Sequence, residues 1–181
     1  STSSEASVND FDTAWKQAQR KKINTLVVLG QPGSGKTTLL RHLLLRCIDS
    51  HEQLGLARPT VPLLLPLRLV RSKEDLADAI QRILQTDRLR LPIKFFDPQL
   101  FIGDVLLLFD GIDEVASAAD REQVARWIEN QRTLFPDCPM VVTSRFAGYV
   151  GDARLGIPHI ELALERFREP EVRAFLERWF V

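Results

Sequence analysis

Gly30-Gln31-Pro32-Gly33-Ser34-Gly35-Lys36-Thr37 follows the apolar run Leu26-Val27-Val28-Leu29 and precedes a leucine-rich stretch over residues 36–48. The eight residues satisfy GxxxxGK[ST] at every fixed position. They stand between a predicted strand and a predicted helix, which is the context this spacing requires. Glycines let the backbone curl until successive amides point inward, forming a concave cradle for phosphate oxygens. The helix start behind the cradle adds about half a positive charge. Lys36 is long enough to reach β- and γ-phosphates, and the Thr37 hydroxyl suits Mg2+ coordination. Thr38, one residue on, is placed to contact the α-phosphate. A plain strand-to-helix turn needs one or two glycines. Three, with a lysine and a threonine in register, assign residues 30–38 to phosphate binding.

Outward from this stretch, apolar runs alternate with helical patterns. The leucines over 36–48 fall on several faces and predict a well-buried helix. Val61-Pro62-Leu63-Leu64-Leu65-Pro66-Leu67 reads as a second strand whose two prolines imply an edge or a bulge. Ser72-Lys73-Glu74-Asp75 has the form of a capping box, followed by Leu76, Ile80, Ile83 and Leu84 at helical spacing. Val105 to Asp110 is apolar until its last residue, as a parallel strand covered on both faces would be. A helix near 119–134 carries Val124, Trp127 and Ile128 on one face. Met140 to Thr143 and Pro158 to Leu162 read as the fourth and fifth strands. A last helix is expected to bury Val172, Phe175, Leu176, Trp179 and Phe180. The alternation predicts an α/β fold with a mostly parallel five-stranded central sheet; with the GxxxxGK[ST] loop after its first strand, the expectation is a P-loop NTPase three-layer sandwich.

At 181 residues the chain is long enough for one domain, and 45% apolar with 27% charged residues is an ordinary globular balance. Lysine plus arginine and aspartate plus glutamate each number 24, so the net charge is zero. That balance argues against a nucleic-acid module, which needs a basic surplus. The longest apolar run, Val105 to Phe109, is far too short for a membrane span. Cys47 and Cys138 stand alone, as in a reducing, cytoplasmic compartment, and exclude a disulfide framework. His42, His51 and His159 have no metal-like spacing. Between Arg68 and Lys94, seven basic residues face four acidic ones, a pattern read as a solvated helix face. Ser1-Thr2-Ser3-Ser4 reads as a linker, and the terminal Trp179-Phe180-Val181 as a surface that expects a neighbour. Residues 1–19 are therefore taken as linker and lead-in helix and 20–181 as the core of a domain excised from a longer protein.

Asp110 puts a carboxylate at the carboxyl end of a buried strand, the edge where open α/β sheets bind ligands. A bound Mg2+ is its natural partner, since an unpaired buried carboxylate is costly. Asp113 and Glu114 follow closely, with the small Gly111 between. Three acids within five positions imply a metal site plus a general base for water, either Asp113 or Glu114. Taken alone, the same residues fit a solvated polar loop.

With these residues in hand, the sequence resembles a NACHT domain, of the STAND class of P-loop NTPases, over roughly residues 20–181. In many related ATPases a glutamate directly follows the metal aspartate. In Asp110-Gly111-Ile112-Asp113-Glu114 a glycine does, and the acids are displaced downstream. Val61-Pro62-Leu63 to Leu67-Arg68 resembles the family's second strand. Thr143-Ser144-Arg145 resembles its sensor motif, and Leu162-Ala163-Leu164 with Phe175-Leu176 its closing segment. The resemblance implies an ATPase that takes ATP or ADP with Mg2+. Thr37 and Asp110 would hold the metal, Glu114 or Asp113 the water, and Lys36 and Arg145 the γ-phosphate. The adenine wall would include Trp15 to Asn24. It implies a switch in which ADP holds a closed monomer and ATP permits homo-oligomers. Helical, winged-helix and sensor domains would follow this segment. The stretch from Thr143 to Tyr149 is more like bacterial members, which points to innate immune or antiphage defence. The alternative is a nucleotide-binding scaffold with negligible turnover. A guanine-reading Asn-Lys-x-Asp is absent, and no arginine-rich lid suggests a kinase.

Overall fold

The structure, a computed structural model, describes residues 11–92 and 94–165. The expected terminal helix with Val172, Phe175, Leu176, Trp179 and Phe180 lies outside the described residues, as does Ser1 to Ser4.

Five strands form one sheet: β1 (Thr25–Gly30), β2 (Val61–Pro66), β3 (Val105–Asp110), β4 (Met140–Ser144) and β5 (Ile160–Leu164). Their order is β2-β3-β4-β1-β5 and every pairing is parallel. The expectation of a mostly parallel sheet is thus met by a wholly parallel one, because helices or long loops cross over between all successive strands. The two prolines of β2 are tolerated since it is an edge strand, paired only with β3. Register aligns the carboxyl ends. Gly30 pairs with Leu164, Leu29 with Ser144 and Pro66 with Asp110. One edge of the sheet therefore collects the ends of all five strands.

Period-two alternation sends successive strand residues to opposite faces. Leu26, Val28, Leu106, Leu108 and Val141 pack under α1 (Phe11–Arg20) and α2 (Lys36–Ser50). Val27, Leu29, Leu107, Phe109 and Val142 pack under α3 (Leu76–Leu84), α4 (Asp97–Ile102) and α5 (Ala118–Leu134). This is the three-layer sandwich. Trp127 and Ile128 of α5 are buried as the periodicity predicts, with Trp127 edge-on to Phe109 at 5.6 Å between ring centres.

Two local expectations are corrected. α2 is not buried all round: Leu40, Leu43 and Cys47 face the sheet, while Leu45 and Ile48 are mostly exposed. A single helix laid on a sheet has only one stripe to bury, however many leucines it carries. α3 is capped by Asp75, whose carboxylate accepts the Asp78 N–H at 2.8 Å. Ser72, the capping residue of the expected box, instead donates its hydroxyl to Gln123 Oε1 at 2.9 Å, and Glu74 accepts the Arg71 N–H and pairs with Arg82.

Both thiols are free and fully enclosed, and burial pushes each up to about 11. A group whose folded pKa is raised gives stability that is complete below its unfolded value and is lost as pH rises through the folded one. The unfolding free energy, read from urea titrations, is therefore expected to fall between pH 9 and 11, by on the order of 2 kcal/mol per thiol, and the urea midpoint with it. A midpoint unchanged over that range would contradict this.

Candidate functional site

The loop after β1 closes at Gly35, which has φ +92°, a left-handed conformation that only glycine adopts without strain. α2 starts directly behind it with no side-chain cap. Its first N–H groups are left for an external anion. The Ser34 hydroxyl is buried in this loop and has no hydrogen-bond partner. Lys36 lies back across the mouth, its ammonium donating to the carbonyls of Gly30 at 3.0 Å and Gln31 at 3.1 Å. Gln31, Pro32, Gly33 and Thr38 are exposed. An open helix start, an orphaned hydroxyl and a lysine parked on carbonyls together form a cradle that fits phosphates.

Asp110, only 8% exposed, is the hinge of the site. Thr37 donates its hydroxyl to Asp110 Oδ2 at 2.9 Å, joining the helix start to the end of β3. Thr143, buried on β4, donates to Asp110 Oδ1 at 2.7 Å and accepts the Gly111 N–H at 2.9 Å. Mg2+ bonds oxygens at about 2.0–2.1 Å in octahedral geometry, so neighbouring ligands stand about 2.9 Å apart. The Thr37 and Asp110 oxygens have that spacing and the hard-oxygen chemistry the ion prefers.

The other two acids do not join them. Among the described residues no group of three or more acidic, histidine or cysteine side chains is arranged around a metal position. The expected division, a metal position at Thr37 and Asp110 with a separate acid for water, needs no such group. Asp113 is held wholly by Arg145, which gives its backbone N–H to Oδ1 and its Nε to Oδ2, both at 2.9 Å. Glu114 pairs with Arg68. Arginines just past the ends of β2 and β4, the strands on either side of β3, thus neutralise the two acids that follow it. Arg145, expected at the γ-phosphate, is turned to Asp113 in this structure.

Gly111, with φ +77°, starts a short 3-10 turn over Ile112–Glu114 that bends the chain back on itself. A Cβ on Gly111 would lie 2.9 Å from Glu114 Cγ and 3.0 Å from Cδ. The Glu114 carboxyl group therefore occupies the space that the side chain directly after Asp110 would fill. Three residues of displacement in sequence are cancelled by one turn. The exposures of the two acids differ, while the two arginines are about equally open. The Asp113 side chain is 10% exposed, whereas Glu114 and Arg68 are 37% and 54% exposed. An ion pair that open is worth about 0.2–1 kcal/mol.

Three residues here escaped the sequence reading. Thr143 stands beside Ser144 at the end of β4, and only the strand order brings its hydroxyl to Asp110. Arg68 was grouped with a solvated basic face, although it directly follows the second strand. Gly148 gave no signal: a Cβ there would come within 2.3 Å of Asp113 Cβ. Tyr149, given no role earlier, anchors the loop after β4 by accepting the Leu155 N–H and meeting His159 Nε2. Burial pushes its hydroxyl up to about 12. Trp15, at the start of the segment expected to line the adenine, is buried in the core with its indole N–H on the Leu54 carbonyl. No helix among the described residues is long and apolar enough to cross a membrane.

Comparison with known proteins gives two findings. The NACHT domain family matches residues 24–181. A WD repeat-containing protein of Nostoc sp., itself uncharacterized, is 28% identical over 123 residues. That alignment covers 65% of this chain and 8% of the Nostoc protein.

Proposed function

This chain belongs to the NACHT domain family, and from that premise we propose that it binds ATP and ADP with Mg2+ and hydrolyses ATP as the core of a signalling switch. The observation that carries the reading is the convergence of the Thr37 and Thr143 hydroxyls on Asp110 at the mouth of the phosphate cradle.

The chain's own residues would divide the work as follows. The amides of residues 30–38 and the start of α2 hold the phosphates. Lys36 leaves the Gly30 and Gln31 carbonyls for the terminal phosphates. Thr37 and Asp110 would hold Mg2+, which when bound would neutralise phosphate charge. Thr143 keeps the Asp110 carboxylate oriented. Glu114 accepts a proton from the attacking water as the water oxygen bonds to the γ-phosphorus and the bond to the bridging oxygen breaks, leaving ADP and phosphate. Glu114 suits this better than Asp113, because both Asp113 oxygens are already engaged by Arg145.

The chain spans about 8% of the Nostoc relative's length, so the wider switch belongs to the proposal as well. In that reading ADP keeps a longer protein closed and ATP permits its assembly into homo-oligomers. A defence role in a bacterial cytoplasm is what the family resemblance suggests for it.

Lys36→Ala tests the site. Removing a charged donor to the terminal phosphates is expected to weaken ATP and ADP by about 100-fold, at roughly tenfold per 1.4 kcal/mol. Titration calorimetry with Mg-nucleotide measures it, with circular dichroism as the folding control. Equal affinity in wild type and variant would remove the site assignment.

A further inference from the structure

Among the described residues at this edge, Arg68 and Glu114 form the one pair that is both open to water and held by a single partner on each side. Asp113 is different. It is enclosed, takes two donors from Arg145, and has the Gly148 backbone against its Cβ and Cα. Of the two arginine-bound acids, then, only Glu114 is free to change partners cheaply. Its carboxyl group lies over Gly111, beside the Asp110 that is bonded to Thr37 of the phosphate cradle. The Arg68 guanidinium is thereby held, through Glu114, at the same sheet edge as the cradle where phosphates are expected.

A terminal phosphate carries about two negative charges near neutral pH, against one for a carboxylate. Its three oxygens also suit the planar guanidinium fork. Among nucleotides, only a triphosphate places that dianion beyond the cradle. In ADP the terminal group is the β-phosphate, which the loop amides themselves hold. We propose that Arg68 is a positioning residue that holds Glu114 while no γ-phosphate is present and moves to the γ-phosphate when ATP binds. The exchange frees the carboxylate to take up water, so the general base is released by the substrate it acts on. This inference rests on the reading of the chain as an ATP-binding domain.

The test is a double-mutant cycle read as affinity, using ATPγS and ADP with Mg2+ on the whole chain, in wild type, Arg68→Gln, Glu114→Gln and the double variant. Glu114→Gln removes the competitor for Arg68 and is expected to tighten ATPγS about fivefold, the amount an ion pair this exposed can withhold, with ADP unchanged. Arg68→Gln is expected to weaken ATPγS about tenfold, a charge-assisted contact to phosphate being lost, again with ADP unchanged. In the double variant the fivefold gain should vanish, because nothing remains to be released. If the gain persists in the Arg68→Gln background, Glu114 acts on the phosphate only by charge repulsion and the latch is overturned. Equal ATPγS affinity in wild type and Arg68→Gln overturns it as well. Arg68→Met repeats the cycle with the same expectations should Arg68→Gln lose its fold. A wild-type chain that binds neither nucleotide would instead overturn the ATP-binding reading itself, an outcome distinct from a chain that binds both with additive variants.

Discussion

Glu114→Gln is expected to slow single-turnover hydrolysis of Mg-ATP by about 100-fold or more, within the range a positioned general base contributes, while nucleotide binding is retained. Glutamine has the shape of glutamate and can still lie over Gly111, so the turn over Ile112–Glu114 and the packing of Ile112 are kept. What is lost is the proton acceptor. Asp113→Asn serves as the contrast. Asp113 accepts two bonds from Arg145, so its variant should show first as a loosened loop after β4, seen as a lower melting temperature. Similar losses of turnover from both variants, with Asp113→Asn fully stable, would transfer the base to Asp113. Protein concentration belongs in the same measurement. An arginine supplied by a neighbouring subunit can raise such rates by 10³-fold or more, so turnover per molecule that rises with concentration marks assembly. Tight binding with no turnover at any concentration would make the chain a nucleotide-held scaffold.

Phe109→Ala is expected to cost about 3–5 kcal/mol of folding stability, as truncation of a buried aromatic does. Phe109 is fully enclosed, lies on β3 and meets Trp127 of α5 edge-on. The cavity would open between the sheet and the α5 layer, and neither side can close it. β3 is fixed by β2 and β4. Trp127 is tethered by its indole N–H to the Glu74 carbonyl at 2.8 Å. For a domain of this size the melting point should drop by about 10 °C. Because the next residue is Asp110, nucleotide affinity should fall with it even well below the melting point. A shift of only 1–2 °C would mean that the layer repacks, and that the site is less dependent on this face of the sheet than its geometry implies.

The sheet was legible for a simple reason. Parallel strands covered on both faces must be apolar at every position, so Leu26–Leu29 and Val105–Phe109 announce themselves without any knowledge of their partners. The cradle was legible because its residues are contiguous and backbone conformation alone dictates the glycines. Burial of single helices was harder to read. The leucines of α2 mark it as helical, but only the position of the sheet decides that Leu40 is inside and Ile48 outside.

By itself the sequence determined the α/β fold, the glycine-rich loop and helix start over residues 30–38 that we propose as a phosphate cradle, and the carboxylate at the end of β3, since each is encoded within a few consecutive residues. The tertiary structure decided the partners. Asp110 sits 33 residues from Thr143 and 73 from Thr37, and Glu114 sits 46 from Arg68. Such contacts follow from strand order and register, which bring the ends of β2, β3 and β4 to one edge, and no local pattern carries that information. For the same reason three neighbouring acids that look like one cluster in the sequence are, once folded, a hydroxyl-held carboxylate and two separate ion pairs.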